Sequence, residues 1–202
     1  MSTALALITS EEFLSLPDDP GVERELIRDE LRERPVERAG IAPGGLEPSK
    51  MRGRKHSAIE ARATRHHGKW NANLPMPRGE VACGEAGCIL RRGPDTGVGI
   101  DVAYFSAEAV VATPENSAYF QGPPTLAVEI LSPSDMQAGI DEKVALYLEA
   151  GTLVVWVLNA RFRTVTVHRP GTEPVPFNAL QELTAEPHLP GFRVEIVDLF
   201  EG

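Results

Sequence analysis

Thr125-Leu126-Ala127-Val128-Glu129-Ile130-Leu131 decides the fold class of this 202-residue chain. The run is apolar, opened by Pro123-Pro124 and closed by Ser132-Pro133, and its length suits a central β-strand rather than a helix. Glu129 does not belong in such a strand. Burying an ionised carboxylate costs several kcal/mol unless a cation or hydrogen-bond donors meet it. Asp101 repeats the anomaly inside Val98-Gly99-Ile100-Asp101-Val102-Ala103-Tyr104-Phe105. Two acids on two apolar strands point to a metal site.

Downstream, Gln137 to Ala150 reads as a helix stopped by Gly151, which suits the left-handed position after a helix end. Leu153-Val154-Val155-Trp156-Val157-Leu158 reads as a buried strand. Arg163 to His168 alternates and pairs back on it through a turn at Asn159-Ala160-Arg161-Phe162. Strand, helix and strand in that order make a right-handed crossover, so the expected class is α/β with a mixed β-sheet flanked by helices. The chain ends in a strand over Gly191 to Val197 and a final turn at Asp198-Leu199-Phe200.

The upstream half is less regular. Ser10 caps a short helix ended by Pro17-Asp18-Asp19-Pro20, and Glu23 to Arg32 has the look of an edge hairpin. Pro35 to Arg54 is rich in glycine and proline and reads as a long loop, and loops of that length are usually functional or mobile. Ser57 to Trp70 is helical by its alanine content, and strands follow at Glu80 to Leu90 and Val98 to Phe105.

Length and composition are those of one soluble domain over residues 1–202. No apolar run approaches the roughly 20 residues that span a bilayer, and Ala4 to Ile8 is too short for a signal sequence, so a cytoplasmic, membrane-free protein is expected. Cys83 and Cys88 give no disulfide framework, and their odd spacing places them on opposite faces of a strand, which argues against zinc. Glu85 lies between them, either as a surface acid or approaching the site from a neighbouring strand.

A net charge of -9 argues mildly against a nucleic-acid ligand. The charge is uneven, however: seven basic residues stand between Lys50 and Lys69, among them Arg52, Arg54 and Lys55, against the single acid Glu60. That stretch is either a solvated helix face with a flexible loop, or a local phosphate-binding patch.

Lys143 joins the two acids by position. Ile140, Val144, Tyr147 and Leu148 form the apolar face of its helix, and Lys143 lies roughly 85° from the centre of that face. A lysine there can bury its stem and turn its ammonium along the sheet edge, with or without chemistry. Ser132-Pro133-Ser134-Asp135 leads from the Glu129 strand directly into this helix, so the ammonium is within reach of the carboxylates. Two acids and a lysine are what metal-assisted phosphodiester hydrolysis needs.

These segments together resemble the Uma-type family of restriction endonucleases, a branch of the PD-(D/E)XK nuclease superfamily. The resemblance rests on Gly99-Ile100-Asp101-Val102-Ala103-Tyr104, on Pro124 to Asp135, on Lys143 with Tyr147-Leu148-Glu149-Ala150-Gly151, and on Val155 to Leu158 leading into Thr164 to Gly171. It implies a restriction-endonuclease-like core with Asp101 and Glu129 as ligands of Mg²⁺ or Mn²⁺. The superfamily lysine stands two residues after the acid, where this chain has Leu131, and Lys143 resembles its migrated replacement.

The resemblance implies lesser roles elsewhere. Glu25, in a hairpin with Arg28-Asp29 where the family has Asp-Gly, corresponds to an auxiliary acid. His56 is similar to a family histidine before the first long helix, and is either a site contact or a structural one. Asn159 stands where the family has Asp, and a turn role fits it. DNA is the implied partner, and a homodimer is compatible with the pattern. Two functions follow: a metal-dependent endonuclease acting on DNA, or a nuclease-fold protein retained as a binding or regulatory module.

Overall fold

The protein, a computed structural model, is described for residues 7–17, 19, 22–35, 53–132 and 135–201. Residues 36–52, Arg52 among them, lie outside the described residues, as do Pro133 and Ser134. In chain order the elements are α1 (Ser10–Ser15), β1 (Val22–Ile27), β2 (Glu30–Pro35), α2 (Arg54–Ala72), β3 (Glu80–Arg91), β4 (Thr96–Phe105), α3 (Ala107–Ala112) and β5 (Phe120–Gln121). Then come β6 (Leu126–Leu131), α4 (Gln137–Ala150), β7 (Val154–Asn159), β8 (Thr164–His168), β9 (Val175–Phe177), β10 (Glu182–Thr184), β11 (Arg193–Glu195) and α5 (Ile196–Phe200).

The central sheet has nine strands among the described residues, ordered β2-β1-β4-β6-β7-β8-β9, with β3 and β5 branching from β4. It is mixed: β6 and β7 run parallel across the α4 crossover, and β4 pairs antiparallel with both β3 and β6. β6 and β7 are buried almost throughout, which is why both read as continuous apolar runs. One face packs against α2 and the C-terminal elements through Val102, Tyr104, Val128 and Trp156. The other packs against α4 through Ala103, Phe105, Ala127 and Val155.

Several boundaries differ from expectation. The first helix is capped by Thr9 rather than Ser10; Thr9 and Glu12 form a reciprocal capping box, while the Ser10 hydroxyl is buried and donates to Asp95 Oδ2 at 2.6 Å. Helix α2 begins at Arg54, one turn before Ser57, so His56 lies inside it. The terminal turn is the short helix α5, and its preceding strand is only Arg193–Glu195. In α4, Leu146 is buried beside the expected Val144 and Tyr147. Gly151 has the anticipated left-handed φ of 107°. Asn159 serves a turn, its Oδ1 accepting from the N–H groups of Arg161 and Phe162.

The hairpin β1–β2 forms without the glycine its turn would ordinarily have. Arg28 and Asp29 both adopt left-handed φ, 52° and 69°. Asp29 Oδ1 accepts from Asp95 N at 2.6 Å and the Arg28 guanidinium meets Glu149 at 2.9 Å. Tertiary contacts thus hold a turn that local propensity disfavours.

Helix α2 buries His56, Ile59, Ala63 and His67, a stripe at helical spacing. His67 Nδ1 donates to Ala63 O at 2.8 Å, and its ring stacks on Phe192 at 4.4 Å. Burial pushes its pKa down from 6.5 to about 4. The folded state therefore binds this proton more weakly than the unfolded chain. The stability is fully present above pH 6.5 and is lost as pH falls through about 4, a loss of about 3 kcal/mol. His67→Phe is expected to flatten this acid-side decline in urea unfolding measured between these pH values; an unchanged pH slope would exclude His67 as its source.

Candidate active site

Antiparallel pairing between β4 and β6 runs through Tyr104↔Leu126, Ala103↔Ala127 and Val102↔Val128, then stops. The next residue on each strand is the acid: Asp101 on β4 and Glu129 on β6. Here the strands part, and the Asp101 side chain takes the place of a ladder carbonyl. Its Oδ2 accepts from Ile130 N at 2.7 Å, which draws the carboxylate into the gap between the strands.

The opposite neighbour of β4 is irregular at the same level. Cys83 faces Val102 and Ala86 faces Ile100, so Gly84 and Glu85 together oppose Asp101 in a bulge. Glu85 holds a φ of 59°, a strained conformation for a side-chain-bearing residue that costs about 1–2 kcal/mol. Its carboxylate lies over Gly99: a Cβ built there would stand 2.3 Å from Glu85 Oε2. Strict alternation is lost along β4 as a result. Ile100 and Ala103 both face α4, with Val102 on the other side. Asp101 consequently does not share a face with Glu129 by simple alternation. The acids meet instead at the split, one from within the sheet and one from its α4 side.

Glu129 is 5% exposed and Asp101 4%. Three groups on two elements bind Glu129 or its partner. Lys143 Nζ, from α4, lies 3.3 Å from Glu129 Oε2, 3.4 Å from Glu25 Oε1 on β1, and donates to Gly99 O at 3.2 Å. One turn on, the Tyr147 hydroxyl donates to Glu129 Oε1 at 2.5 Å. On the α2 side, His56 Nε2 stands 3.2 Å from Asp101 Oδ2, and its Nδ1 is 3.8 Å from Glu60 Oε2. Glu25, Glu85, Asp101, Glu129 and Lys143 all line one cleft of about 1050 Å³.

Charge follows from this packing. Burial raises the Glu129 pKa; Lys143 counteracts it, and the nearby Asp101 charge adds to it. Burial alone would lower the Lys143 pKa, but Glu129, Glu25 and Asp101 together more than offset that and hold it above its ordinary value. Tyr147 is held well above its ordinary value by burial and then by Glu129. The site at neutral pH thus contains a firmly protonated ammonium and phenol against buried carboxyls.

Arg54 and Lys55 are exposed at the head of α2, immediately before His56. They do not line the cleft. Tyr147 is the residue that sequence reasoning placed in the core and not in the site. Its spacing of four from Lys143 was the available signal, since both then lie on one helix face.

The donor set matches a small hard cation. Among the described residues no three His, Cys, Asp or Glu side chains converge as a closed cage, which a structural zinc site requires. Mg²⁺ needs less protein, one or two carboxylates with water and substrate oxygens completing its shell. Asp101 and Glu129 supply that number, and burial, which raises the Glu129 pKa by disfavouring its ionised form, is an effect that a bound cation would offset. The cysteines are apart from this chemistry: Cys83 is exposed, and burial pushes the Cys88 thiol up to about 12.

A sequence profile of the family described as "Uma2, putative restriction endonuclease" matches residues 10–197. The fold is similar to that of a solved structure described as "a putative nuclease belonging to DUF820" from Anabaena variabilis ATCC 29413. The two share 24% identity and a TM-score of 0.75, over 96% of this chain and 97% of the other. None of the curated proteins matches the chain. Among the described residues no helix is long and apolar enough to cross a membrane.

Proposed function

Because the chain belongs to the Uma2 family of nucleases, we propose that it is an endonuclease that hydrolyses phosphodiester bonds in DNA and depends on Mg²⁺ or Mn²⁺. One nuclease-like domain over residues 1–202 would carry the activity. A single observation supports this reading most: Asp101, Glu129 and Lys143, from three different elements, line one cleft where β4 and β6 part.

Asp101 and Glu129 would hold the cation, which when bound supplies charge to polarise the phosphoryl group and acidify an attacking water. Lys143 is fixed by Glu129, Glu25 and Gly99 O. Held protonated, it does not serve as the base, and its positive charge stabilises the negative charge that builds on the phosphoryl oxygens. The proton released by water must then pass to a carboxylate. Glu25 borders the ammonium from outside the ligand pair and is the residue assigned to receive it. Tyr147 fixes the orientation of Glu129, and His56 that of Asp101. The test is cleavage of single- and double-stranded DNA across a titration of Mg²⁺ and Mn²⁺. Cation-independent cleavage, or none with either cation, would overturn the proposal.

Arg54 and Lys55 are assigned to the DNA backbone, together with Arg52. Charge reversal at these positions is expected to weaken DNA binding for all sequences. It should also flatten the plot of log affinity against log salt by roughly 0.7 to 0.9 for each phosphate that is no longer neutralised. Cation affinity should stay the same. Isothermal titration separates the two readouts, and an unchanged salt slope would remove these residues from the interface.

A further inference from the structure

The cleft is an unsuitable surface for duplex phosphates. Its described lining carries seven carboxylates against three cations, Arg24, Arg32 and Lys143. Each of these cations already meets a carboxylate: Arg24 meets Glu33 at 2.9 Å, Arg32 meets Glu142 at 2.7 Å, and Lys143 meets Glu25 and Glu129. Duplex binding draws on cations that neutralise phosphate, and this wall has few to offer.

It offers aromatic and apolar surface instead. Tyr119 sets the Cδ1–Cε1 edge of its ring against β3 at Gly87, where a Cβ would come within 2.1 Å of Tyr119 Cδ1 and 2.3 Å of Cε1. Only glycine allows the ring to approach the strand backbone so closely. The backbone of Tyr119 is pinned as well, its carbonyl accepting from the Ser117 hydroxyl at 2.6 Å. The ring is half-buried and lines the cleft that holds Asp101 and Glu129. Phe13 and Leu14 of α1, and Leu16 just after it, line the same cleft. The α1 helix is anchored to the β3–β4 turn through Ser10, Asp95 and Arg92.

We propose that this cleft takes single-stranded DNA, with the Tyr119 ring as the platform on which a base beside the scissile phosphate stacks. The inference rests on the nuclease reading above and gives it a substrate class. Stacking on an aromatic side chain is sequence-tolerant because every base has a π-face, and a single strand, with its lower charge density, asks less counter-charge per phosphate than a duplex.

The test is equilibrium binding without divalent metal, by fluorescence anisotropy, to oligothymidylate, to an abasic strand of the same length and to a duplex. Oligothymidylate should bind about 5- to 150-fold more tightly than the abasic strand, the range expected from one stacked base. Tyr119→Ala should abolish that difference and Tyr119→Phe should keep it. Gly87→Val, which pushes the ring off its seat from a different position, should reduce it, and serves if Tyr119→Ala does not fold. Equal binding of abasic and base-bearing strands, or tighter binding of the duplex, would overturn the inference. Duplex cleavage with that outcome would leave the nuclease reading standing. Stacking-dependent binding with no cleavage under any cation would instead remove the nuclease reading and keep the single-strand site.

Discussion

Glu129→Gln is expected to lower the cleavage rate by about a thousandfold or more, since it removes charge stabilisation of several kcal/mol from the proposed cation site. The side chain keeps its volume, and the amide oxygen can still accept from the Tyr147 hydroxyl, so the fold is expected to persist. Differential scanning calorimetry gives a readout that does not depend on turnover. Mg²⁺ should raise the Tm of the wild-type protein, by linkage of binding to folding, and should leave the Tm of Glu129→Gln unchanged. An equal Mg²⁺ shift in both proteins would remove Glu129 from the ligand set.

The same substitution has a signature in the metal-free protein. Burial holds the Glu129 pKa above its ordinary 4.5, so the folded carboxyl binds its proton more tightly than the unfolded one. The wild-type protein therefore keeps this contribution below that ordinary value and loses it as pH rises through the raised value. Glu129→Gln has no such decline. Mg²⁺ should suppress the decline in the wild type, because a bound cation favours the ionised form.

Lys143→Ala is expected to slow cleavage by about two to three orders of magnitude, the range for losing one positioned stabiliser of transition-state charge. Affinity for Mg²⁺ should be kept or increased, because Glu129 and Glu25 lose a competing cation 3.3 and 3.4 Å away. A loss confined to kcat, with KM little changed, marks an interaction made in the transition state. The Tm should also fall, since a largely buried ion pair is left with one partner. Rates are therefore to be compared below both melting transitions. Lys143→Arg keeps the charge but spreads it over a fork of different reach; it should recover stability more fully than rate. Full recovery of rate by arginine would mean that Lys143 contributes only bulk charge.

Much of this site was legible in the chain because burial and ionisation conflict locally. Glu129 within Leu126–Leu131 and Asp101 within Thr96–Phe105 announce themselves as acids on strands that are otherwise buried. The strand-helix-strand order placed Lys143 one connection away from Glu129, and the crossover β6–α4–β7 has that order with β6 and β7 parallel. Helix α4 was readable to both ends, since its apolar spacing and its terminal Gly151 are local features.

What depends on contacts distant in sequence was not readable. The Arg28-Asp29 turn lacks the residue its conformation favours, and Asp95 and Glu149 hold it from 66 and 121 positions away. The bulge at Gly84-Glu85 exists only relative to the register of β4, and it breaks the alternation that would have set Asp101 on one face. Tyr147 and Val144 looked alike as core residues; only the approach of Glu129 gives the Tyr147 hydroxyl a partner. Periodicity and local composition specify which elements form and which residues are anomalous in them, because those are short-range properties of the chain. Tertiary packing alone decided where the strands part, which side chains fill the gap, and which charges face one another, because each of these is a relation between segments that the sequence keeps apart.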